Sequence, residues 1–445
     1  MSRRYFGTDG VRGTVGQAPM TVEFALRLAS AAARVLAPEG GTVLIGKDTR
    51  LSGYMFEAAL EAGFTAAGAN VLLAGPLPTP AVAYLCRELG ADFGVVISAS
   101  HNPYDDNGIK IFAAGGEKLS DEQEARIEAL LDEPPLTLQS AALGRARRVE
   151  HAQADYQEFC KTMLRTGTDL SGIKLVVDCA HGAAYKVAPR VLAELGAEII
   201  PIGCSPNGRN INLGCGSTHP ELLATTVRGV GARIGVALDG DGDRCVLVDE
   251  RGELVDGDQL LFVLARDAHA RGELRGPVVG TVMSNLGLEQ ALGALGISFL
   301  RAAVGDRYVM ALLKAHGGDL GGETSGHIIN LARAPTGDGL ATALQVLAIM
   351  RHTGEPLSAL VAGMQQLPQV MINVRVAERI DVGASAPIQA ELRSVEAELG
   401  ERGRVVLRAS GTEPVIRVMV EATDASEAQV LAGRLADTVR GAAQH

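Results

Sequence analysis

The sequence has no Cys-x-x-Cys pair, no broad excess of positive charge and no long uninterrupted apolar run, and each absence narrows what the protein can be. Its six cysteines, Cys86, Cys160, Cys179, Cys204, Cys215 and Cys245, are scattered over 445 residues. That spacing fits reduced thiols, buried or at the surface, better than a disulfide frame. The net charge of −11 argues against a protein that coats nucleic acid, which needs a broad basic face to displace counterions. A small anionic substrate stays compatible, because its site needs only a local cluster of Arg and Lys. No apolar run approaches the roughly 20 residues of a membrane span, so no membrane partner is expected. The first ten residues place charge and glycine where a secretory leader would need an apolar core, so a cytoplasmic location is expected.

What is present is a hydrophobic content of 47%, ample for several cores in a chain of this length. About three or four domains are expected. A strand–helix–strand–helix–strand pattern occurs three times. In the first copy the strands are 42–45, 69–73 and 93–97, with helices over 54–68 and 80–90. The second has strands at 173–177, 198–202 and 234–238 and helices near 187–196 and 220–229. The third runs through strands 277–282, 297–302 and 319–321, with helices over 286–296 and 308–316. Val- and Ile-rich runs of period two alternating with helices imply mostly parallel strands joined by crossovers. The stretch from about 368 differs: strands 370–376, 404–407 and 415–421 and helices 388–399 and 426–440 give an α+β pattern. The expected architecture is therefore α/β, three similar mixed-sheet domains followed by a smaller α+β C-terminal domain around one central cleft. Their expected boundaries are 1–153, 154–254, 255–367 and 368–445.

A polar loop follows the third strand of every copy, glycine-bearing in the second and third. The loops are Ser98-Ala99-Ser100-His101-Asn102-Pro103, Asp239-Gly240-Asp241-Gly242-Asp243-Arg244 and Gly322-Glu323-Thr324-Ser325-Gly326-His327. Open α/β sheets bind ligands outside the carboxyl ends of their strands, so three equivalent loops imply one shared cleft.

Three carboxylates at alternate positions are costly to hold together unless a cation neutralises them, and hard oxygen ligands suit Mg²⁺. A solvated acidic turn and an aspartyl nucleophile are the other readings of Asp239, Asp241 and Asp243. Ser100, just past an apolar strand and beside His101, is a nucleophile candidate that needs a base, a metal or neutralising charge. The same residues can also form a simple Asx or Ser turn. Arg12 and Lys110 can face a phosphoryl group in flight or be solvated surface residues. Glu323 and Ser325 offer the carboxylate and hydroxyl that orient a sugar, and His327 is either a general acid–base or a structural histidine. Near the C-terminus, Arg408-Ala409-Ser410-Gly411-Thr412-Glu413-Pro414 followed by Arg417 has the composition of an anion-binding turn.

Read together, these loops resemble the α-D-phosphohexomutase superfamily over essentially the whole chain. The stretches 6–13, 97–103 and 304–309 are most like the bacterial members that act on glucosamine phosphate. The resemblance implies a four-domain, heart-shaped enzyme that carries phosphate on Ser100. It implies one Mg²⁺ per chain, held by Asp239, Asp241, Asp243 and the Ser100 phosphate. Phosphate binding would fall to Arg408, Ser410, Gly411, Thr412 and Arg417, and sugar recognition to Glu323, Ser325 and His327. Arg12, His101, Lys110 and Arg244 would flank the transfer. The implied reaction interconverts glucosamine 6-phosphate and glucosamine 1-phosphate on the way to UDP-N-acetylglucosamine, with glucosamine 1,6-bisphosphate or a similar compound as intermediate and activator. The phosphosugar is the only expected partner apart from a second copy in a homodimer; a monomer is the other expectation. Pro368 lies near the expected hinge. One departure concerns substrate: Thr324 stands where Gln is expected in glucosamine enzymes and Met in mannose or glucose enzymes. A glucose- or mannose-phosphate mutase, a phosphosugar phosphatase and a silent phosphosugar-binding protein are the alternatives.

Overall fold

The computed structural model describes residues 4–165, 167–376, 381–409 and 415–443. The first sheet contains β1 (Val11–Thr14), β2 (Thr42–Lys47), β3 (Asn70–Pro76), β4 (Phe93–Ile97), β5 (Asp106–Ala113) and β6 (Ala146–Arg148), in the order β1-β5-β4-β2-β3-β6. The second contains β7 (Lys174–Asp178), β8 (Glu198–Ile202), β9 (Ile234–Leu238), β10 (Cys245–Val248) and β11 (Leu254–Val255), ordered β11-β10-β9-β7-β8. The third contains β12 (Val278–Thr281), β13 (Phe299–Ala302), β14 (Leu320–Gly322) and β15 (Ile328–Asn330), ordered β13-β12-β14-β15.

The repeat expected from periodicity is present in all three. The second and third strands of each copy pair in parallel with the first. β4 and β9 are buried at every position, as strands covered on both faces must be, and this makes them continuous apolar runs in the sequence. What periodicity did not supply is the element after each polar loop. β5, β10 and β15 turn back antiparallel onto β4, β9 and β14, so each loop is a hairpin connection held at both ends by backbone pairing. The third copy also starts its second strand later than expected, at Phe299.

In the last unit β16 (Gln369–Arg375), β17 (Gly403–Ala409) and β18 (Val415–Ala422) form an antiparallel sheet of order β16-β18-β17. Helices Ala386–Leu399 and Ala425–Ala442 accompany it, which is the expected α+β arrangement. Apolar packing divides the molecule unevenly. One core runs without interruption from Leu44 through Leu175 and Leu238 to Met364, fusing the first three units. The last unit keeps separate cores around Val418 and Val420. All six cysteines are free thiols, and no helix among the described residues is long and apolar enough to cross a membrane.

Candidate active site

Ser100 lies at φ 52°, a left-handed conformation that a residue with a Cβ adopts only under constraint. The constraint comes from Arg50, whose side chain is fully buried. Its guanidinium donates to the carbonyls of Ser100 (3.0 Å), Asn102 (2.8 Å), Asp106 (3.0 Å) and Pro103, and to Asp48 Oδ2 at 2.8 Å. Asn212 Nδ2 donates to the same Ser100 carbonyl at 2.9 Å, and Ser98 Oγ accepts from Ser100 N at 3.0 Å. With the backbone fixed, Ser100 Oγ donates to Asp239 Oδ2 at 2.5 Å and lies 3.4 Å from His101 Nδ1. The serine and aspartate loops touch so closely that a Cβ on Gly240 would lie 2.6 Å from the Ser100 carbonyl oxygen.

Asp239, Asp241 and Asp243 are all buried, and each offers a carboxylate oxygen within 4.8 Å of the others. Burial, reinforced by Asp243 and Asp241, pushes the Asp239 carboxyl well above its usual range. Burial acts upward on Asp243 too, but Lys110 and His327 hold it below the usual carboxylate range. Asp241 Oδ1 and Asp243 Oδ1 are buried without a hydrogen-bond partner. Two orphaned anionic oxygens beside a third carboxylate fit a hard divalent cation. The donor set therefore fits the metal site read from the sequence. Thr79 Oγ1 donates to Asp241 Oδ2 at 2.5 Å and anchors this loop to the first unit.

Cations surround the carboxylates. Lys110 Nζ lies 2.8 Å from Asp241, 3.4 Å from Asp243 and 2.8 Å from Asp9. Burial disfavours its charge, but the three carboxylates outweigh that and raise its pKa. Arg12 pairs with Asp9, and Arg244 Nε lies 3.8 Å from Asp243. His327 is buried, with Nδ1 3.7 Å from Asp243 and Nε2 3.4 Å from Asp306. Although burial opposes its charge, Asp243, Asp306 and Glu323 push its pKa up to about 9, so it is cationic at neutral pH. His101 goes the other way: burial, Arg244 and Arg12 lower it to about 4, leaving a neutral imidazole beside Ser100.

A cleft of about 390 Å³ opens over this cluster, bringing together Asp9 and Arg12, Asp243 and Arg244, and Asp306, Glu323 and His327 from the three units. A slightly larger cavity, about 420 Å³ and lined by Arg271 and Arg333, contains none of the three loops. The cleft is the candidate because charged groups from three domains converge on it. Glu323 Oε1 accepts from Gly305 N at 3.0 Å. Ser325 is exposed at the loop tip, and Thr324 Oγ1 turns away to Asp258 Oδ2 at 2.8 Å.

In the last unit Arg408 and Arg417 face each other across β17 and β18. Directly opposed like charges are unfavourable without an anion, and Arg408 Nε is buried without a partner. Burial and Arg417 both lower the Arg408 pKa. Ser410, Gly411 and Thr412 lie outside the described residues. Sequence reasoning missed Asp9, Arg50, Thr79, Lys118 and Asp306. Asp9 stands in the Gly7-Thr8-Asp9-Gly10-Val11-Arg12-Gly13 run from which only Arg12 was singled out, and it pairs with Lys118 at 2.7 Å, which pairs with Asp306 at 2.7 Å. Arg50 had one available signal, its place in the polar run directly after the first strand of the first repeat.

This architecture is that of the α-D-phosphohexomutases, and the chain belongs to the phosphoglucomutase/phosphomannomutase family. It matches the alpha/beta/alpha domain I over residues 3–136, domain II over 154–252, domain III over 256–367 and the C-terminal domain over 371–438. A relative from Thiobacillus denitrificans, 55% identical over 100% of this chain and 98% of its own length, is a phosphoglucosamine mutase. Another from Thioalkalivibrio sulfidiphilus, with the same name, is 57% identical and covered in full on both sides. Among solved structures, a phosphoglucomutase/phosphomannomutase family protein from Burkholderia thailandensis is similar with a TM-score of 0.82 and 25% identity, covering 98% of this chain and 97% of that one.

Proposed function

We propose that this chain is a phosphoglucosamine mutase, interconverting glucosamine 6-phosphate and glucosamine 1-phosphate with Ser100 as the phosphate carrier. The observation that carries the chemistry is the placement of Ser100 Oγ 2.5 Å from Asp239, inside a cluster of buried carboxylates ringed by cations. The amino sugar rests on the relatives of that name, which match the chain from end to end. Thr324 does not oppose it, because its hydroxyl is turned to Asp258.

The reading takes the chain as four units, 1–153, 154–254, 255–367 and 368–445, a division supported by the four separate sheets and the four family matches. Asp239, Asp241, Asp243 and the phosphate on Ser100 would hold one Mg²⁺. When bound, that ion supplies positive charge to the phosphate oxygens and makes the three carboxylates compatible with one another. Arg12, Lys110, Arg244 and cationic His327 offset charge on the phosphoryl group in transfer, where catalysis is mainly positioning and electrostatics. In the first half-reaction the sugar O1 forms a bond to phosphorus as the Ser100 Oγ–P bond breaks. The proton lost by O1 is made good at the freed Oγ, and neutral His101 beside Oγ is the base that takes it up again when Oγ attacks in the second half-reaction. The resulting 1,6-bisphosphate turns over, and Ser100 Oγ takes the phosphate from O6. Glu323 and Ser325 would orient the sugar, and Arg408, Ser410, Gly411, Thr412 and Arg417 would hold the phosphate that is not reacting. The opposed arginines support that assignment. All these groups lie on one chain, which supports turnover by a single protomer, and the six free thiols fit a reducing cytoplasm.

The test is turnover with Mg²⁺ and catalytic glucose 1,6-bisphosphate, comparing glucosamine, glucose and mannose 6-phosphates at equal concentration. The expected result is a clear preference for the amino sugar. Preference for glucose or mannose overturns the substrate while keeping the phosphohexomutase chemistry, and release of inorganic phosphate without isomerisation overturns the mutase.

A further inference from the structure

We propose that Asp258 is a positioning residue that ties the sugar-recognition loop to the hinge of the C-terminal unit, through Thr324 on one side and Asn285 on the other. The proposal rests on the mutase reading, in which the loop around Glu323 holds sugar and the last unit closes on phosphate.

Helix Gly257–Ala270 begins directly beneath the loop. A Cβ on Gly257 would lie 2.0 Å from the Glu323 carbonyl oxygen, and Gly257 N donates to the Thr324 carbonyl at 3.0 Å. The next residue, Asp258, is fully buried. One of its oxygens, Oδ2, accepts from both Thr324 Oγ1 and Asn285 N, each at 2.8 Å. Asn285 in turn clamps the hinge peptide: its Nδ2 donates to Leu367 O at 3.0 Å, and its Oδ1 accepts from Leu367 N at 3.0 Å. Asp256 adds a parallel tie, accepting from Gln366 Nε2 at 2.6 Å. Beyond the hinge, Leu286 N donates to buried Glu421 of β18 at 3.1 Å.

The physical consequence follows from the sharing of one acceptor. A single oxygen bonded to the loop and to the hinge clamp cannot follow one without straining or losing the other. A cavity of about 170 Å³ lined by Asp258, Thr324, Asn285 and Leu367 leaves room for the two sides to shift. Docking of a sugar on Glu323 therefore biases the hinge, and closure of the last unit biases the loop. Thr324 acts through Asp258, so its identity sets how firmly the loop is anchored. What both donors require of Asp258 is an acceptor oxygen, and burial with neighbouring Asp256 pushes its carboxyl up to about 6.

The experiment measures KM and kcat, with the phosphohexose that the parent turns over fastest, for Thr324→Val, Asn285→Ala, their double variant, Asp258→Asn and Asp258→Ala, alongside melting temperature. Thr324→Val, which loses one buried hydrogen bond, is expected to raise KM by about 5–10-fold, and Asn285→Ala, which loses both bonds to Leu367, by at least as much. Their double variant is expected to be no worse than the worse single one, because both cut the same connection. Asp258→Asn keeps the acceptor and should hold KM within about twofold, while Asp258→Ala should match the double variant. Effects that multiply in the double variant, or an Asp258→Asn as impaired as Asp258→Ala, overturn the proposal. If Asn285→Ala fails to fold, Thr324→Val decides alone: parental KM overturns the connection. A parent that prefers glucose or mannose phosphate overturns the amino-sugar assignment only, and the same variants then test the connection on the preferred sugar.

Discussion

Ser100 combines a strained backbone, a 2.5 Å hydrogen bond to Asp239 and nearly complete burial, and each is fixed by a residue outside its own loop. Removing its hydroxyl breaks the bond to Asp239 but leaves the supports of the backbone intact. Ser100→Ala is expected to abolish mutase turnover with little change in melting temperature, and turnover near the parental rate would refute the nucleophile. Arg50 is different, since its donors hold three carbonyls of the serine loop and that of Asp106 at the start of β5, and neutralise Asp48. Arg50→Met would strand Asp48 as an unpaired buried charge and is expected to cost about 3–5 kcal/mol in denaturant unfolding. A loss below about 1 kcal/mol, the scale of an exposed ion pair, would show that Arg50 is not the anchor.

At the level of elements, the hairpin loops depend on helix starts that pack against them. Helix Gly339–Thr353 is capped by Asp338, whose oxygens accept from Ala341 N and Tyr156 OH, both at 2.8 Å. Burial pushes this carboxyl up to about 6, above the ~4 of an unfolded chain. The folded protein thus binds this proton more tightly than the unfolded one. The stability linked to it is fully present below about pH 4 and is lost as pH rises through about 6. Asp338→Asn keeps a cap without the charge, so its stability relative to the parent should improve by up to about 3 kcal/mol between pH 4 and pH 7. Unfolding curves at several pH values check this, and a pH-independent difference would refute it.

Over the whole molecule, one core fuses the first three units while the last has its own, so the last unit packs apart from the three that line the cleft. The carboxylate cluster sits at a junction within the fused part, with Thr79 and Lys110 reaching it from the first unit. A cation bound there acts on the folded state alone. Mg²⁺ at a hundredfold excess over its Kd is expected to stabilise the protein by about 2.7 kcal/mol, read as a rise in melting temperature. Asp241→Asn should remove that rise, and a parent indifferent to Mg²⁺ would refute the metal site.

Much of this was determined by the sequence alone. β4 and β9 were legible because strands buried on both faces must be apolar throughout. The three loops were legible because they follow equivalent strands, and the aspartate loop because three alternating carboxylates are costly to hold together without a cation. The tertiary structure alone decided what surrounds them. β5, β10 and β15 each follow a polar turn, and only backbone pairing across each sheet shows that the loops are hairpins. Arg50 and Asp258 act through carbonyls and hydroxyls contributed by residues 50 to 66 positions away, contacts that no local spacing encodes. The opposite charge states of His101 and His327 have the same origin. Arginines face one and carboxylates the other, and burial magnifies both influences by removing the water that would screen them.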